Sequence, residues 1–522
     1  MHLWIIKRIE DLLFLILLIF IIFVFYPLET FSDGVDFLLG GYFLGISHPP
    51  SYPVYTQLVH LTKYIPLGNL ALRINFFTAL LAFLFLVFFY NHLKGSWHEK
   101  FLCILMILSS NTFFVNSING ELYVLNLLLI FLMFFFLEKD DKRYLYLNAF
   151  ILGIGLGIHH TVVFMGLYIC FRYFYDGRKI TLSDLLVCIF FLILGATVYL
   201  YLPFRAFKEP LWNWGNPKNL ILFINSFLRH DFQAKGFFRE WDTFLHQLIS
   251  FNPFHEFGII TGVILFGSML SLLFYEKRFF IKSFVFILVF YFGFLIIVGN
   301  DSLTNEERLK IYGVFYLPAY VMLIYMFNQL FLKLKTQYKF IIFFISIFGL
   351  GYNFYSHLLK EVSYEKMVFP HDYARMNLSM LPRDSSTLII LGGEKDFPII
   401  YQQKICKFRD DILIIQLNFL GKMWNLKESL KLGAAYKPFS NSERGDKGIL
   451  ESVILYQKEV NGKRVFTNIF NNDELPDMNW SENGIYQEIN SEMGLEKEYF
   501  IRYRGKGGDD NFIENILKLN NR

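Results

Sequence analysis

Asp33 and Asp36, His48 and Tyr52, Glu121 and Tyr123, the adjacent His159 and His160, Arg205 and Trp214, then Arg229 and Arg308 are the side chains of this 522-residue chain best suited to chemistry. Carboxylates exchange protons, imidazoles make and release hydrogen bonds, and arginines pair with anions. Spacing narrows the choices. Asp33 and Asp36 are three apart, so on a helix they share a face and, with water, can hold a divalent ion. His159 and His160 would point about 100° apart on a helix, which makes them a poor chelating pair. No outer-loop set has the His-x-x-x-His spacing of a helical metal site. A required metal is therefore the lesser reading, and no cofactor is expected. Each residue also has a plain structural use. Asp33 can cap a helix, His48 can pack, and Glu121 can sit at a helix N-terminus, where the dipole favours negative charge. Arg205 can snorkel to lipid headgroups, Arg229 can be an ordinary loop charge, and Trp214 can anchor at an interface.

The elements that must position these residues are apolar. Hydrophobic residues make up 54% of the chain and charged residues 18%, against about 25% charged in soluble domains. Mean hydropathy is +0.39. These values argue against a cytosolic enzyme, a disordered scaffold and a nucleic-acid binder. The net charge of +4 is too small to imply a polyanionic partner. Cys103, Cys170, Cys188 and Cys406 form no disulfide framework or metal cluster. Apolar runs long enough to cross a bilayer lie near 11–28, 70–92, 101–117, 121–137, 145–158, 161–175, 183–202, 257–275, 281–299, 311–331 and 339–357. The two between 145 and 175 are short enough to be broken or tilted. The first reads as an anchor rather than a cleaved signal peptide, because its run is long and no small-residue site follows it.

Loop charge sets the direction. With the N-terminus cytoplasmic, alternate loops carry Lys7 and Arg8; Lys94 and Lys100; Lys139, Lys142 and Arg143; Arg172, Arg178 and Lys179; Lys277, Arg278 and Lys282; Lys333, Lys335 and Lys339. The opposite loops hold mainly Lys63, Arg308 and Lys310. The positive-inside rule favours this orientation and about eleven spans. The candidate residues then fall on the outer face, so the chemistry faces outward. In the first outer loop, Ser32 or Asp33 can cap an interfacial helix from about 34 to 44, and Pro49, Pro50 and Pro53 force an extended stretch after it. From about 360 the apolar runs stop. Residues 387–391 and 412–416 read as buried strands with a helix around 398–407 between them, and 464–469 and 499–503 as shorter strands. The Gly392-Gly393-Glu394 turn lacks the ending of a phosphate loop. The expected fold is a multi-span α-helical membrane body over 1–359, followed by an extracytoplasmic α/β domain over 360–522.

The loop residues also fall into recognisable runs. Asp33, Asp36, Leu44, Gly45, His48, Pro49, Pro50, Tyr52 and Pro53 resemble the opening motif of a family of membrane O-mannosyltransferase-like proteins, acidic-x-x-acidic, Leu-Gly, then His-Pro-Pro-Gly-Tyr-Pro. Ser51 replaces the motif's glycine. Asp36 stands where glutamate is more usual, with the intervening glycine shifted to Gly34. Asn69, Arg73 and Asn75; Glu121, Tyr123 and Asn126; Gly155, Gly157, His159, His160 and Thr161 resemble further motifs of the family in order. So do Tyr201, Leu202, Pro203 and Arg205, then Asn213, Trp214, Gly215 and Pro217, with Arg229 at a similar distance and Arg409-Asp410-Asp411 in the tail.

The resemblance implies a C-type glycosyltransferase (GT-C) fold and a polyprenyl-phosphate sugar as donor substrate. On that reading Asp33 takes the proton of an acceptor hydroxyl and Asp36 positions the acceptor or shares the role. Arg205, Arg229 and Arg308 are candidates to hold the leaving phosphate. His48, Tyr52, Glu121, Tyr123, His159, His160 and Trp214 would bind donor or acceptor. The implied activity is transfer of mannose or another hexose, with inversion, to Ser or Thr of exported proteins. The implied place is the cytoplasmic (inner) membrane, with the active site and tail outside. Two alternatives stand beside it: a lipid or surface-glycan acceptor, or a transporter of lipid-linked sugars. A transporter places polar groups at the bilayer midplane in repeated halves. No internal repeat is seen here, and the polar cluster lies at one face.

Overall fold

The protein is described from a computed structural model. It covers residues 28–230, 241–298, 305–361, 363, 368–383 and 386–420, with shorter pieces between 422 and 489. The run expected to span at 11–28 lies outside the described residues up to 27, as does the strand expected at 499–503. Contacts divide the chain into two compact units. One contains Phe37–Ser363; the other joins Glu29–Asp36 to the residues from Tyr364 onward. The sequence places a single cut between 359 and 360. Residues 29–36 depart from it because their partners are aromatic and polar side chains far along the chain, which no apolar run marks.

The first unit is helical. Where described, each run expected to span between 70 and 357 is mostly helical, and the protein is a multi-span helical membrane protein. Among the described residues, Leu70–His92, Leu182–Ala206, Lys277–Leu295, Ile311–Phe331 and Thr336–Ser356 are long and apolar enough to cross a bilayer by length and composition. Tyr123–Phe136 and Ile259–Tyr275 are shorter apolar helices. Some boundaries depart from expectation. The run at 101–117 is two helices, Trp97–Leu108 and Asn111–Asn116, broken at Ser109. Ser110 Oγ caps the second by accepting from Phe113 N at 3.0 Å. The buried Glu256 carboxylate accepts from Thr112 N at 2.9 Å and from the Thr112 hydroxyl at 2.8 Å. A carboxylate at a helix N-terminus meets its unpaired N–H groups and the positive end of the dipole. Hydropathy averages over such a break.

Helix Lys142–Leu156 packs closely on Leu182–Ala196. A side chain at Gly153 would run into the Leu192 carbonyl, and one at Gly195 into the Phe150 carbonyl. Small residues let helix backbones approach where lipid supplies no hydrophobic drive for association. The outward face of the second helix, including Leu182, Leu186, Phe190 and Ile193, is exposed and apolar, which suits a lipid-facing side.

The basic connectors are tied together at one end of this unit. Lys339 pairs with Glu99 at 2.7 Å, Lys333 with Glu276 at 2.5 Å, and Arg178 with Asp140 at 3.1 Å. Asp176 pairs with Arg172 at 3.0 Å, Lys282 at 2.8 Å and Arg278 at 3.3 Å. The more exposed of these pairs, Arg178–Asp140 and Lys333–Glu276, add little stability, whereas Arg172 and Asp176 are buried. Together the pairs bring the loops at 94–100, 138–143, 172–184, 276–282 and 333–339 to the same end.

In the second unit a five-stranded sheet has the order β2-β1-β3-β5-β4. The strands are β1 (Ser386–Ile390), β2 (Leu413–Gln416), β3 (Arg464–Thr467), β4 (Trp480–Asn483) and β5 (Tyr486–Ile489). β1 is buried along its whole length and runs parallel to β2 and β3, with Leu388 opposite Ile414 and Phe466. Helix Phe397–Lys404 makes the crossover from β1 to β2, which a parallel pair requires. β5 pairs antiparallel with β3 and β4. That hairpin is absent from the sequence expectation, since neither strand alternates cleanly. Arg409 fixes the turn before β2: it donates to the carbonyls of Leu378, Leu381 and Pro382 and forks onto Asp411 at 2.8 Å. Glu29 Oε1 meets His371 Nδ1 at 2.6 Å and accepts from Gln402 Nε2, while Phe31 lies edge-on to Phe369 and Tyr373.

Candidate active site

The first outer loop opens with helix Asp33–Tyr42. Ser32 caps it, its Oγ accepting from Gly34 N at 3.1 Å. Asp33 and Asp36 occupy the first turn, where the dipole favours them. Asp33 is half-buried and Asp36 is buried. Phe37 follows directly and packs edge-on against Tyr52 and Tyr55, each at 5.1 Å.

Beyond the helix the loop is held by its backbone. Ile46 N donates to Trp212 O at 2.8 Å, and Trp214 N donates to Ile46 O at 3.1 Å, forming a parallel bridge. Tyr201 hydroxyl donates to Gly45 O at 2.9 Å. Arg205 donates from Nε to Leu44 O at 2.5 Å and from Nη2 to Phe43 O at 3.3 Å. Any side chain at position 45 would collide with the Trp212 carbonyl, which explains the Leu-Gly pair of the motif. The Tyr-Leu-Pro-x-Arg and Asn-Trp-Gly runs thus grip the first loop. Arg205, a candidate phosphate ligand by sequence, has two of its donor groups on main-chain carbonyls. The Pro49-Pro50 peptide is cis. Ser51 and Tyr52 adopt the left-handed region, with φ of 77° and 42°. At Ser51 this is the conformation that glycine takes freely and other residues adopt at a cost of roughly 1–2 kcal/mol. The buried Ser51 Oγ lies 2.9 Å from Ser226 Oγ.

Five of the candidate residues meet in an aromatic cluster. His48 lies 5.0 Å from Tyr52 and 6.3 Å from Trp214 between ring centres. Tyr52 stacks on His159 at 6.0 Å and 14°. His159 lies 5.4 Å from Tyr123 and 5.5 Å from Phe315. Phe37 and Phe315 belong to this cluster and carry no sequence signal beyond being two of 63 phenylalanines. Glu121 is buried directly after Gly120, whose carbonyl accepts from the Tyr55 hydroxyl at 2.7 Å.

The two histidines are not helical neighbours. The helix ends at Leu156, and His159 is extended, with φ −158° and ψ 137°. That corrects the expected 100° fan. His159 joins the cluster, while His160 turns to Tyr199, with Nε2 2.9 Å from its hydroxyl, and to the Phe227 ring at 4.9 Å. Burial, and then the charge of Arg229, pushes the His160 imidazole down to about 4. Burial also holds His159 well below the usual histidine range, with His160, Arg229 and His48 adding to the effect. Both rings are therefore neutral at physiological pH. Arg229 is half-buried at φ 57°, and its charge acts on both rings. Arg308 lies on helix Asn305–Phe331, its side chain outside the described residues. No group of three or more His, Cys, Asp or Glu side chains among the described residues is arranged to hold a metal ion.

Comparison with known proteins bears out the resemblance drawn from these motifs. Residues 33–182 match the family described as the protein O-mannosyl-transferase TMEM260 N-terminal domain. The chain is 29% identical over 218 residues to the protein O-mannosyl-transferase TMEM260 of Mus musculus, covering 38% of this chain and 31% of that one. It is 23% identical over 472 residues to the Dictyostelium discoideum protein O-mannosyl-transferase tmem260, covering 76% of this chain and 56% of the relative. The chain thus spans less than two thirds of either curated relative. Its fold is similar to that of ArnT from Cupriavidus metallidurans, solved in the apo state, with a TM-score of 0.57 over 88% of this chain and 92% of that one. At 11% identity this likeness concerns the fold alone.

Proposed function

We propose that this chain is an integral-membrane glycosyltransferase. It moves mannose or another hexose from a polyprenyl-phosphate donor to a hydroxyl acceptor, Ser or Thr of an exported protein, with inversion at the anomeric carbon. The observation that carries this reading is the meeting of His48, Tyr52, Tyr123, His159 and Trp214, from four separate stretches of chain, around rings suited to a sugar face. The helix that supplies Phe37 to this cluster begins with Asp33 and Asp36.

In the proposed reaction Asp33 takes the proton of the acceptor hydroxyl as that oxygen attacks the anomeric carbon. Its half-buried position gives it access that the buried Asp36 lacks, so Asp36 is assigned a positioning role. The bond from the anomeric carbon to the phosphate oxygen breaks, and the negative charge developing on the leaving phosphate needs a fixed cation. Arg229 suits this better than Arg205, whose Nε and Nη2 are engaged by Leu44 and Phe43. No metal or cofactor is required in this scheme. The chain would lie in the cytoplasmic (inner) membrane with its basic end inside and the aromatic cluster outside, following the positive-inside rule.

The test uses purified protein, labelled polyprenyl-phosphate mannose and a Ser/Thr peptide. Asp33→Asn is expected to lower transfer by at least about 100-fold, the typical contribution of a positioned base. Undiminished transfer would remove Asp33 as the base. Movement of the donor across vesicles without any transfer by the unmodified protein would remove the enzyme reading itself.

A further inference from the structure

His159 is held by more than packing. Its Nδ1 lies 3.3 Å from the backbone N–H of Thr161 and 2.8 Å from the Thr161 hydroxyl. A main-chain N–H can only donate, so Nδ1 is the acceptor and carries no proton. The Thr161 hydroxyl must then also donate to Nδ1, which leaves its lone pairs free to accept. Asn126 Nδ2 supplies the donor, 3.0 Å from Thr161 Oγ1. The chain of hydrogen bonds therefore runs in one sense, from Asn126 through Thr161 to His159, and all three groups are buried. A neutral imidazole with a bare Nδ1 has its proton on Nε2; the rings of Tyr52, Tyr123 and Phe315 pack around this imidazole. No described residue accepts from it.

His160 shows that this arrangement is particular to His159. The Tyr199 hydroxyl donates to Leu156 O at 2.8 Å, so it accepts from His160 Nε2, and that proton is already engaged within the fold. Of the two adjacent histidines, one has its Nε2–H tied down, and the other has no described acceptor for it.

We infer that Asn126 and Thr161 are positioning residues that fix His159 as an Nε2–H donor to an oxygen of the phosphosugar substrate. The inference rests on the glycosyltransferase reading for the substrate's identity and on the hydrogen-bond directions for the state of the ring. A second-sphere partner that sets which nitrogen carries the proton also sets what the ring can do. With the proton fixed on Nε2, His159 donates and does not act as a base, which leaves proton removal to a carboxylate.

The experiment has two arms. In the first, full-length protein with 15N-labelled histidine in lipid nanodiscs is observed at neutral pH, with His159→Gln to assign the signal. The expected result is an unprotonated Nδ1 and a protonated Nε2 for His159 in the unmodified chain. Thr161→Val keeps the main-chain N–H at Nδ1 and removes the 2.8 Å hydroxyl bond, so Nδ1 should stay unprotonated while its 15N signal moves to that of a more weakly hydrogen-bonded nitrogen, and Thr161→Ser should restore the original signal. A proton on Nδ1 in the unmodified chain, or no change in Thr161→Val, overturns the relay whether or not the protein transfers sugar. In the second arm, binding of polyprenyl-phosphate mannose and of bare polyprenyl phosphate is measured. Thr161→Val is expected to weaken donor binding roughly tenfold, the effect of one hydrogen bond, with Thr161→Ser restoring it. Equal weakening for both ligands assigns the contact to a phosphate oxygen, and weakening for the mannosyl donor alone assigns it to a sugar oxygen. Unchanged binding of both, with the Nδ1 signal altered, overturns the substrate contact. A chain that binds neither ligand in its unmodified form overturns the glycosyltransferase reading, while the first arm still decides the relay.

Discussion

Several arginines in this protein clamp main-chain carbonyls. Arg73 reaches back from its helix to the carbonyls of Lys63, Leu67 and Gly68 at 2.7, 2.6 and 3.1 Å. Arg205 holds Leu44 and Phe43, and Arg409 holds Leu378, Leu381 and Pro382. The planar fork suits this use as well as it suits a phosphate, so residue type and motif could not separate the two roles. Arg205→Ala should therefore loosen the first loop, costing about 1 kcal/mol, the net worth of a typical hydrogen bond, by releasing part-buried carbonyls, read as a lower thermal midpoint. Arg229→Ala should leave that midpoint nearly unchanged and cut sugar transfer. Equal thermal effects for the two would reverse the assignment. Ser51 permits a second test. Ser226→Ala strands a buried Ser51 hydroxyl, at about 1–3 kcal/mol. Ser51→Gly combined with Ser226→Ala removes the stranded group and relieves the left-handed backbone. The double variant should be more stable than Ser226→Ala alone, as a thermal unfolding series would show; a less stable double variant would refute the account.

At the scale of elements, the sequence carried most of the helices and few of their ends. Long apolar runs located the helices from 70 to 357 because bilayer thickness imposes a length that composition records. The proline run and Ser32 located the first-loop helix and its cap for equally local reasons. The break at Ser109 was not legible, because its cause is Glu256, well over a hundred residues away. The Ile46–Asn213 bridge was invisible for the same reason: it joins two loops whose only shared signal is that both look functional. Of the candidate site, the motif residues that converge were legible as a set. Their split was not, since His159 and His160 are adjacent in sequence and differ only in the backbone that carries them. Nor could residue types alone place Phe37 and Phe315 in the cluster.

At the scale of the whole molecule, the basic connectors gathered at one end make the orientation testable. In a chain with its four cysteines changed to serine, Lys335→Cys should react with a membrane-impermeant maleimide only after cells are permeabilised. Lys63→Cys should react in intact cells. The opposite pattern would overturn the proposed orientation.

The boundary between the two compact units falls within helix Asp33–Tyr42, so that Asp33 and Asp36 are grouped with the residues from Tyr364 onward and Phe37 with the helical unit. Glu29 and Phe31, just before that helix, find their partners in His371, Gln402, Phe369 and Tyr373. A chain ended at Ser363 would keep every motif residue up to Arg308 and still lose those partners. Inactivity of such a truncated chain would therefore be no evidence that the C-terminal unit recognises the acceptor, because the same cut removes the anchorage of the segment leading into both aspartates. Point substitutions on the sheet surface that leave Glu29 and Phe31 held would separate the two effects.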